Sequence, residues 1–129
     1  MDSTTLIGVG VLVAVLVVGF LMMRGAGGSV PDGPPQPGAK VSGKQARELV
    51  AQGALLVDVR TPGEFRGGHI EGAINVPLQE LGGRVGELGA KERAVVVYCQ
   101  SGMRSRGAQE ALVSKGFSQV YNLGGIGAW

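Results

Sequence analysis

The pattern of apolar and polar positions changes twice along the chain. An uncharged apolar run comes first and a stretch rich in glycine and proline follows. From residue 39 onward, short apolar runs alternate with segments whose apolar positions lie three and four residues apart. The short runs are rich in β-branched residues and predict strands at 54–59, 72–76, 94–98 and 118–123, with Val41 as a candidate first strand. This alternation predicts an α/β fold with a parallel sheet and helices on both faces.

Local signals mark where the predicted helices begin. The pair Ser42 and Gln45 matches a capping box. Thr61 is a suitable N-cap because Pro62 then takes the first helical position. The remaining helical patterns are 105–115 and, weakened by its glycines, 78–88.

Residues 6–23 form an apolar run without a charged residue. As a helix, residues 4–23 would span roughly 30 Å, which matches the hydrocarbon core of a bilayer. We therefore expect a transmembrane helix at 6–23, with the lipid bilayer as its partner, after a short flank at 1–5. A cleaved signal peptide is the alternative, because small residues follow at 25–27, although the flank carries no Lys or Arg.

The basic residues nearest to this run lie on its carboxyl-terminal side. Arg24 follows directly, and Lys40 and Lys44 come within reach. By the positive-inside rule, we expect a single-pass membrane protein whose remaining chain lies in the cytoplasm. Cleavage of a signal peptide would instead make the domain periplasmic or secreted. Residues 24–38 are rich in Gly and Pro and predict a solvated linker, which leaves 39–129 as the folded domain.

Composition narrows the class of function. The 129 residues carry a net charge of +2, which is too small to indicate a nucleic-acid-binding protein. Cys99 is the single cysteine, so the chain has no internal disulfide and no CxxC pair. His69 is the single histidine, which excludes a multi-histidine metal site within one chain. We expect neither a metal ion nor an organic cofactor.

Cys99 lies between a predicted strand and a predicted helix, where an open α/β sheet places its ligands. If residues 100–104 curl around it, successive backbone N–H groups point at its sulfur, and the positive end of the helix dipole adds to that field. Arg104 and Arg106 contribute full positive charges. All three effects favour the nucleophilic thiolate, and the same cradle would hold a small oxyanion. An unreactive buried cysteine is the alternative.

The segment Cys99-Gln-Ser-Gly-Met-Arg104 resembles the active-site loop of the rhodanese family of sulfurtransferases, in which a cysteine heads a six-residue loop. Three other segments are similar to further motifs of that family in the same order, at 56–65, 68–77 and 122–129. Cys-based phosphatases and arsenate reductases have a related loop, but they need an arginine where this chain has Ser105. The resemblance covers 41–129 and implies the family's parallel α/β fold.

The resemblance also implies roles for individual residues. Cys99 would be the catalytic nucleophile, and the substrate-binding loop would consist of Gln100, Ser101, Gly102, Met103 and Arg104. The supporting residues would be Asp58, Arg60 and His69. Structural alternatives exist for these three: Asp58 and Arg60 as an ion pair, and His69 as a hydrogen-bonding residue that holds its own loop. Many thiosulfate-using relatives carry a basic residue directly after the cysteine, where this chain has Gln100.

The activity implied by the resemblance is sulfur transfer. The Cys99 thiolate would take the sulfane sulfur of thiosulfate or a similar small anion, form a persulfide, and pass the sulfur to a thiol or to cyanide. Two alternatives remain open. One is a sulfur relay that delivers the sulfur to an acceptor protein, and the other is a non-catalytic rhodanese-like module that binds a partner at the membrane.

Overall fold

The computed structural model describes residues 34–129, and within them four strands form one parallel sheet in the order β2-β1-β3-β4. The strands are β1 (Leu55–Asp58), β2 (Ile74–Asn75), β3 (Val95–Cys99) and β4 (Val120–Gly125). The α-helices of this part of the chain are α1 (Gly43–Ala51), α2 (Pro62–Arg66) and α3 (Met103–Ser114). The predicted α/β fold with a parallel sheet is confirmed.

Apolar side chains cover both faces of the sheet. One face packs against α3 and against two 3-10 helices, Leu78–Gly83 and Val85–Leu88. The other face packs against α1 and a short 3-10 helix, Ile126–Ala128. Successive residues of a strand point to opposite faces, so Cys99 faces α3 while its neighbour Tyr98 faces α1. Every position of β3 is buried, which explains its unbroken apolar run and confirms the prediction of helices on both faces.

Two predicted elements differ in type from those observed. The segment 78–88 contains the two 3-10 helices and no α-helix. Glycine loses more backbone entropy than any other residue on entering a helix, so the glycines at 82, 83 and 86 favour such short pieces. The candidate strand at Val41 is reduced to a single bridge, in which Lys40 lies opposite Asn122 of β4.

The chain enters the fold along the outer edge of β4. Gly38 and Val41 donate their N–H groups to the carbonyl oxygens of Val120 and Asn122 at 2.8 and 2.9 Å. The end of the predicted linker is therefore hydrogen-bonded to the sheet. The predicted flank (1–5), membrane span (6–23) and first part of the linker (24–33) lie outside the described residues. Within 34–129, no helix has both the length and the apolar character needed to cross a bilayer.

The strand order reverses between β1 and β3. The chain passes from β1 to β2 on one side, and then returns to place β3 on the other side of β1. The connections that follow β1 and β3 leave toward opposite edges of the sheet, and an open α/β sheet binds its ligands at such a point. Asp58 ends β1 and Cys99 ends β3, so the topology places both residues at this position.

Candidate active site

The sulfur of Cys99 lies beneath a tight loop at the end of β3. Gly102 donates its backbone N–H to the sulfur at a distance of 2.9 Å. The turn depends on Gly102, whose φ of 103° lies in the region that favours glycine. Ser101, Gln100 and Met103 are exposed around it, whereas Cys99 is 0% exposed. The loop residues therefore face solvent, whereas the side chain of Cys99 does not.

Cys99 supplies the acceptor that the first turn of α3 otherwise lacks. Gly102 is the N-cap of α3, and no side chain caps the helix there. Gly102 donates its own N–H to the sulfur, and the backbone N–H of Ser105, at the third helical position, is among the groups that lower the pKa of Cys99. An N-cap oxygen ordinarily accepts from an amide at the third position. The cysteine sulfur thus lies where it can serve the amides at the start of the helix.

These hydrogen bonds favour the thiolate form of Cys99. Burial by itself raises the pKa of Cys99, but the Ser105 hydroxyl and the amides of Ser105, Gly102 and Ser101 together bring the pKa below its ordinary value. The Ser105 hydroxyl oxygen lies 3.5 Å from the sulfur. In this structure the thiol donates to that oxygen, and the hydroxyl donates to the carbonyl oxygen of Gly102 at 3.0 Å. A thiolate accepts from the hydroxyl once the hydroxyl proton turns from that carbonyl to the sulfur. The arrangement can therefore hold a nucleophile in its reactive state.

Asp58 and Arg60 form a buried ion pair that is also joined to the loop. Arg60 Nη2 lies 2.7 Å from Asp58 Oδ2, and both side chains are almost completely buried. The same guanidinium donates to Gln100 Oε1 at 3.1 Å and to the carbonyl oxygen of Gly68 at 2.7 Å. The pair thus connects the end of β1 to the residue that follows Cys99. Hydrogen bonding and charge attraction from Asp58 raise the pKa of Arg60.

Arg104 is paired with Glu64, 40 residues earlier in the chain. Two nearly parallel hydrogen bonds of 2.7 and 2.9 Å join its guanidinium to the carboxylate. The hydrogen bond from Arg104 and the backbone hydrogen bond from Thr61 lower the pKa of Glu64 to about 2. Arg106 points to solvent and lies 3.5 Å from Glu110. The full positive charges expected from Arg104 and Arg106 are therefore both paired with carboxylates.

His69 holds its own loop, as the structural alternative for it anticipates. Its Nδ1 lies 2.9 Å from the carbonyl oxygen of Phe65, and its ring stacks on the Phe65 ring with centroids 3.6 Å apart. Since a carbonyl oxygen only accepts, Nδ1 carries the proton in this arrangement. The histidine is exposed. Among residues 34–129, no three side chains of His, Cys, Asp or Glu are grouped so that they would hold a metal ion.

The end of β4 lies against the loop without room for a side chain. A Cβ on Gly125 would lie 2.9 Å from the carbonyl oxygen of Gln100, which is closer than real Cβ atoms approach. A Cβ on Gly102 would lie 3.5 Å from Cα of Gly124. The glycine pair in the carboxyl-terminal motif therefore allows close backbone approach between β4 and the Cys99 loop.

One residue of the site and one partner are not predicted from the sequence. Ser105 is expected only as the start of a helix and as the position where an arginine is missing, yet its hydroxyl oxygen lies 3.5 Å from the sulfur. The helical spacing does indicate a role for Ser105, because this polar residue lies on the same helix face as Ala108 and Leu112, and all three are buried. Nothing in the sequence could have paired Glu64 with Arg104, since the two meet only through the sheet topology.

The comparisons with known proteins agree with this geometry. The family model for the rhodanese-like domain matches residues 42–129. The uncharacterized protein YqhL of Bacillus subtilis strain 168 is 46% identical over 77 residues, which make up 59% of this chain and 60% of that protein. The chain therefore matches less than two thirds of this relative. The thiosulfate sulfurtransferase PspE of Escherichia coli K12 is 39% identical over 71 residues, or 54% of this chain and 68% of that protein.

A solved structure extends the likeness to three dimensions. The human single-domain sulfurtransferase TSTD1 is 32% identical, and the superposition covers 70% of this chain and 90% of that chain with a TM-score of 0.60. The sheet order, the motif spacing and the family model all point the same way. The chain belongs to the family of rhodanese-like domains.

Proposed function

We propose that this protein is a sulfurtransferase that moves a sulfane sulfur from thiosulfate or a similar small anion to a thiol or cyanide through a persulfide on Cys99. The observation that carries the proposal is the contact of 2.9 Å between the Gly102 amide and the sulfur, together with the lowered pKa of Cys99. Several relatives of this chain, PspE among them, are named thiosulfate sulfurtransferases.

The proposed reaction has two halves. The thiolate attacks the outer sulfur of thiosulfate, the S–S bond of the donor breaks, and sulfite leaves with the electron pair. The amides that held the thiolate then hold the persulfide anion. A second nucleophile attacks the outer sulfur of the persulfide and regenerates the thiolate, which makes the mechanism ping-pong. Since Cys99 is the single cysteine, the sulfur must leave to another molecule.

The position of Ser105 argues against phosphoryl or arsenate chemistry. That chemistry needs a guanidinium at this position to bind the tetrahedral anion. Here a short buried side chain fills the place, with its hydroxyl 3.5 Å from the sulfur. Arg104, one position earlier, is paired with Glu64. The site therefore favours attack on sulfur over attack on phosphorus or arsenic.

Intact mass of the full chain before and after incubation with thiosulfate tests the proposal. The wild type should gain the mass of one sulfur atom, and cyanide should remove it with release of thiocyanate. Cys99→Ser should gain nothing and should show no turnover, because an un-ionised hydroxyl does not attack the donor. The far-ultraviolet circular dichroism spectrum of this variant should match that of the wild type.

Two results would overturn the proposal. One is a wild type that gains no sulfur from thiosulfate, a thiosulfonate or a persulfide, which would favour a binding module without turnover. The other is a Cys99→Ser variant that retains turnover.

We also propose that residues 6–23 anchor the domain to a membrane with residues 39–129 in the cytoplasm. The support is the uncharged apolar run and the basic residues that follow it, beginning with Arg24. The full chain produced in cells should then stay in the membrane fraction after an alkaline carbonate wash and keep its first residues. A shortened, released product would indicate a cleaved signal peptide instead.

A further inference from the structure

Arg60 and Arg104, the two arginines that the structure links to the Cys99 loop, are each paired with a carboxylate. Arg60 Nη2 lies 2.7 Å from Asp58, and Arg104 Nη1 lies 2.7 Å from Glu64. The two pairs are close to neutral as units. The side-chain charge of these two arginines is therefore largely compensated, and the backbone amides and the start of α3 contribute to the field that favours an anion beside the sulfur.

Glu64 is held firmly in this pairing. Its Oε1 also accepts hydrogen bonds from the amide and the hydroxyl of Thr61, at 3.2 and 3.1 Å. The carboxylate stays ionised wherever an assay is run, since the pKa of Glu64 is about 2. The side chains of Glu64 and Arg104 are 32% and 34% exposed, so solutes can approach the pair.

The Glu64–Arg104 pair is also within electrostatic reach of the nucleophile. The negative charge on Cys99 is one of the causes that raise the pKa of Arg104, after the hydrogen bond and the charge of Glu64. Arg104 directly precedes Ser105, whose hydroxyl oxygen lies 3.5 Å from the sulfur, so the guanidinium charge acts on an anion that approaches the thiolate. The attraction between the Arg104 guanidinium and such an anion is strong when the guanidinium charge is uncompensated and weak when Glu64 neutralises it.

We propose that Glu64 is a specificity-determining residue: by neutralising Arg104, it makes the loop favour singly charged sulfane donors, such as thiosulfonates, over doubly charged thiosulfate. The inference rests on the proposed sulfurtransferase function. A dianion is repelled by the thiolate twice as strongly as a monoanion, and it gains twice as much from an uncompensated cation nearby. Gln100 is uncharged and Arg104 is paired, so the loop itself offers no uncompensated side-chain cation.

Methanethiosulfonate and thiosulfate make a matched pair of donors. In both, the thiolate attacks the outer sulfur, a new S–S bond forms to Cys99, and the original S–S bond breaks. The electron pair leaves on methanesulfinate in the first case and on sulfite in the second. Both reactions give the same persulfide anion, and the donors differ by one unit of charge.

The test compares kcat/KM for the two donors in wild type and Glu64→Gln, with cyanide as the acceptor. In a ping-pong reaction this constant reports only the donor half. Glutamine still serves the capping box through its carbonyl oxygen, so the variant loses the charge and keeps the fold. We expect the ratio of thiosulfate to methanethiosulfonate to rise about fivefold at low salt, mainly through a lower KM for thiosulfate. The gain should shrink in 1 M salt, where the screening length is about 3 Å.

Glu87→Gln is the matched control. Glu87 forms an equivalent pair with Arg84, at 2.6 and 2.9 Å, and its removal changes the net charge of the chain equally. It should leave the donor ratio unchanged.

The outcomes separate this inference from the proposed function. If neither donor loads sulfur onto Cys99, the sulfurtransferase proposal itself fails. If both donors load sulfur and Glu64→Gln leaves their ratio unchanged, or Glu87→Gln shifts it equally, the role of Glu64 is refuted while the function stands.

Discussion

Two neighbouring strand–loop–helix segments of this domain have the same architecture, but the start of one helix is only capped, whereas the start of the other holds the nucleophile. In each, a central parallel strand ends in a loop that opens a helix, β1 before α2 and β3 before α3. At the start of α2, Thr61 Oγ1 accepts from the amide of Glu64 at 3.2 Å, and the Glu64 carboxylate accepts from the amide of Thr61. At the start of α3, the N-cap is Gly102, and the acceptor of its amide is the sulfur of Cys99 at 2.9 Å.

The difference shows how a structural requirement becomes a chemical property. Both helices begin with amide donors that need an acceptor. A hydroxyl and a carboxylate meet this need in α2, and the result is added helix stability. In α3 the acceptor is the sulfur of Cys99, which can lose its proton, so the hydrogen bonds stabilise the thiolate.

The largest effect is expected from displacing the loop that joins Cys99 to α3. Gly125→Ala would place a Cβ 2.9 Å from the Gln100 carbonyl oxygen, so that either β4 or the loop must shift. We expect sulfur-transfer activity to fall about 100-fold, because displacement of a reacting group by about 1 Å costs that much. The measurement is kcat/KM with thiosulfate on the full chain.

Gly127→Ala is the control for this variant, because no atom lies within 4 Å of a Cβ added there. It should retain wild-type activity. Equal activity in Gly125→Ala and Gly127→Ala would show that the contact between β4 and the loop does not position the sulfur.

An intermediate effect is expected from removing the hydroxyl beside the sulfur. Ser105→Ala should raise the pKa of Cys99, because the Ser105 hydroxyl is one of the groups that lower it. The rate of alkylation by iodoacetamide follows the thiolate fraction, so its pH profile should shift to higher pH. Cys99 is the single cysteine, and total alkylation therefore reports this site alone. An unchanged profile would exclude the hydroxyl as a donor to the thiolate.

The smallest effect is expected from removing the corresponding hydroxyl at the start of α2, and it should affect stability alone. Thr61→Ala removes the capping hydroxyl of α2 and should lower the free energy of unfolding by about 1 kcal/mol, measured by urea denaturation. The alkylation profile of Cys99 should stay at its wild-type position. A shift as large as that of Ser105→Ala would mean that the two helix starts are not independent.

The local elements were predictable because their signals are local. The capping boxes at Ser42 and Thr61 depend on residues three positions apart, and both are present. The apolar run of β3 predicts a strand buried on both faces, and it is one. The weak, glycine-interrupted helix predicted at 78–88 is present as two 3-10 helices, since its leucines are spaced for burial but its glycines disfavour an α-helix.

The alternation of strands and helices and the position of Cys99 between a strand and a helix follow from local patterns in the chain. The turn at Gly102 and the charge around the sulfur follow only from the folded arrangement. Glu64 meets Arg104 and Arg60 meets Gln100 across 40 residues, because β1 and β3 lie side by side in the sheet. Pairing between distant side chains depends on strand order, and no local spacing carries that information.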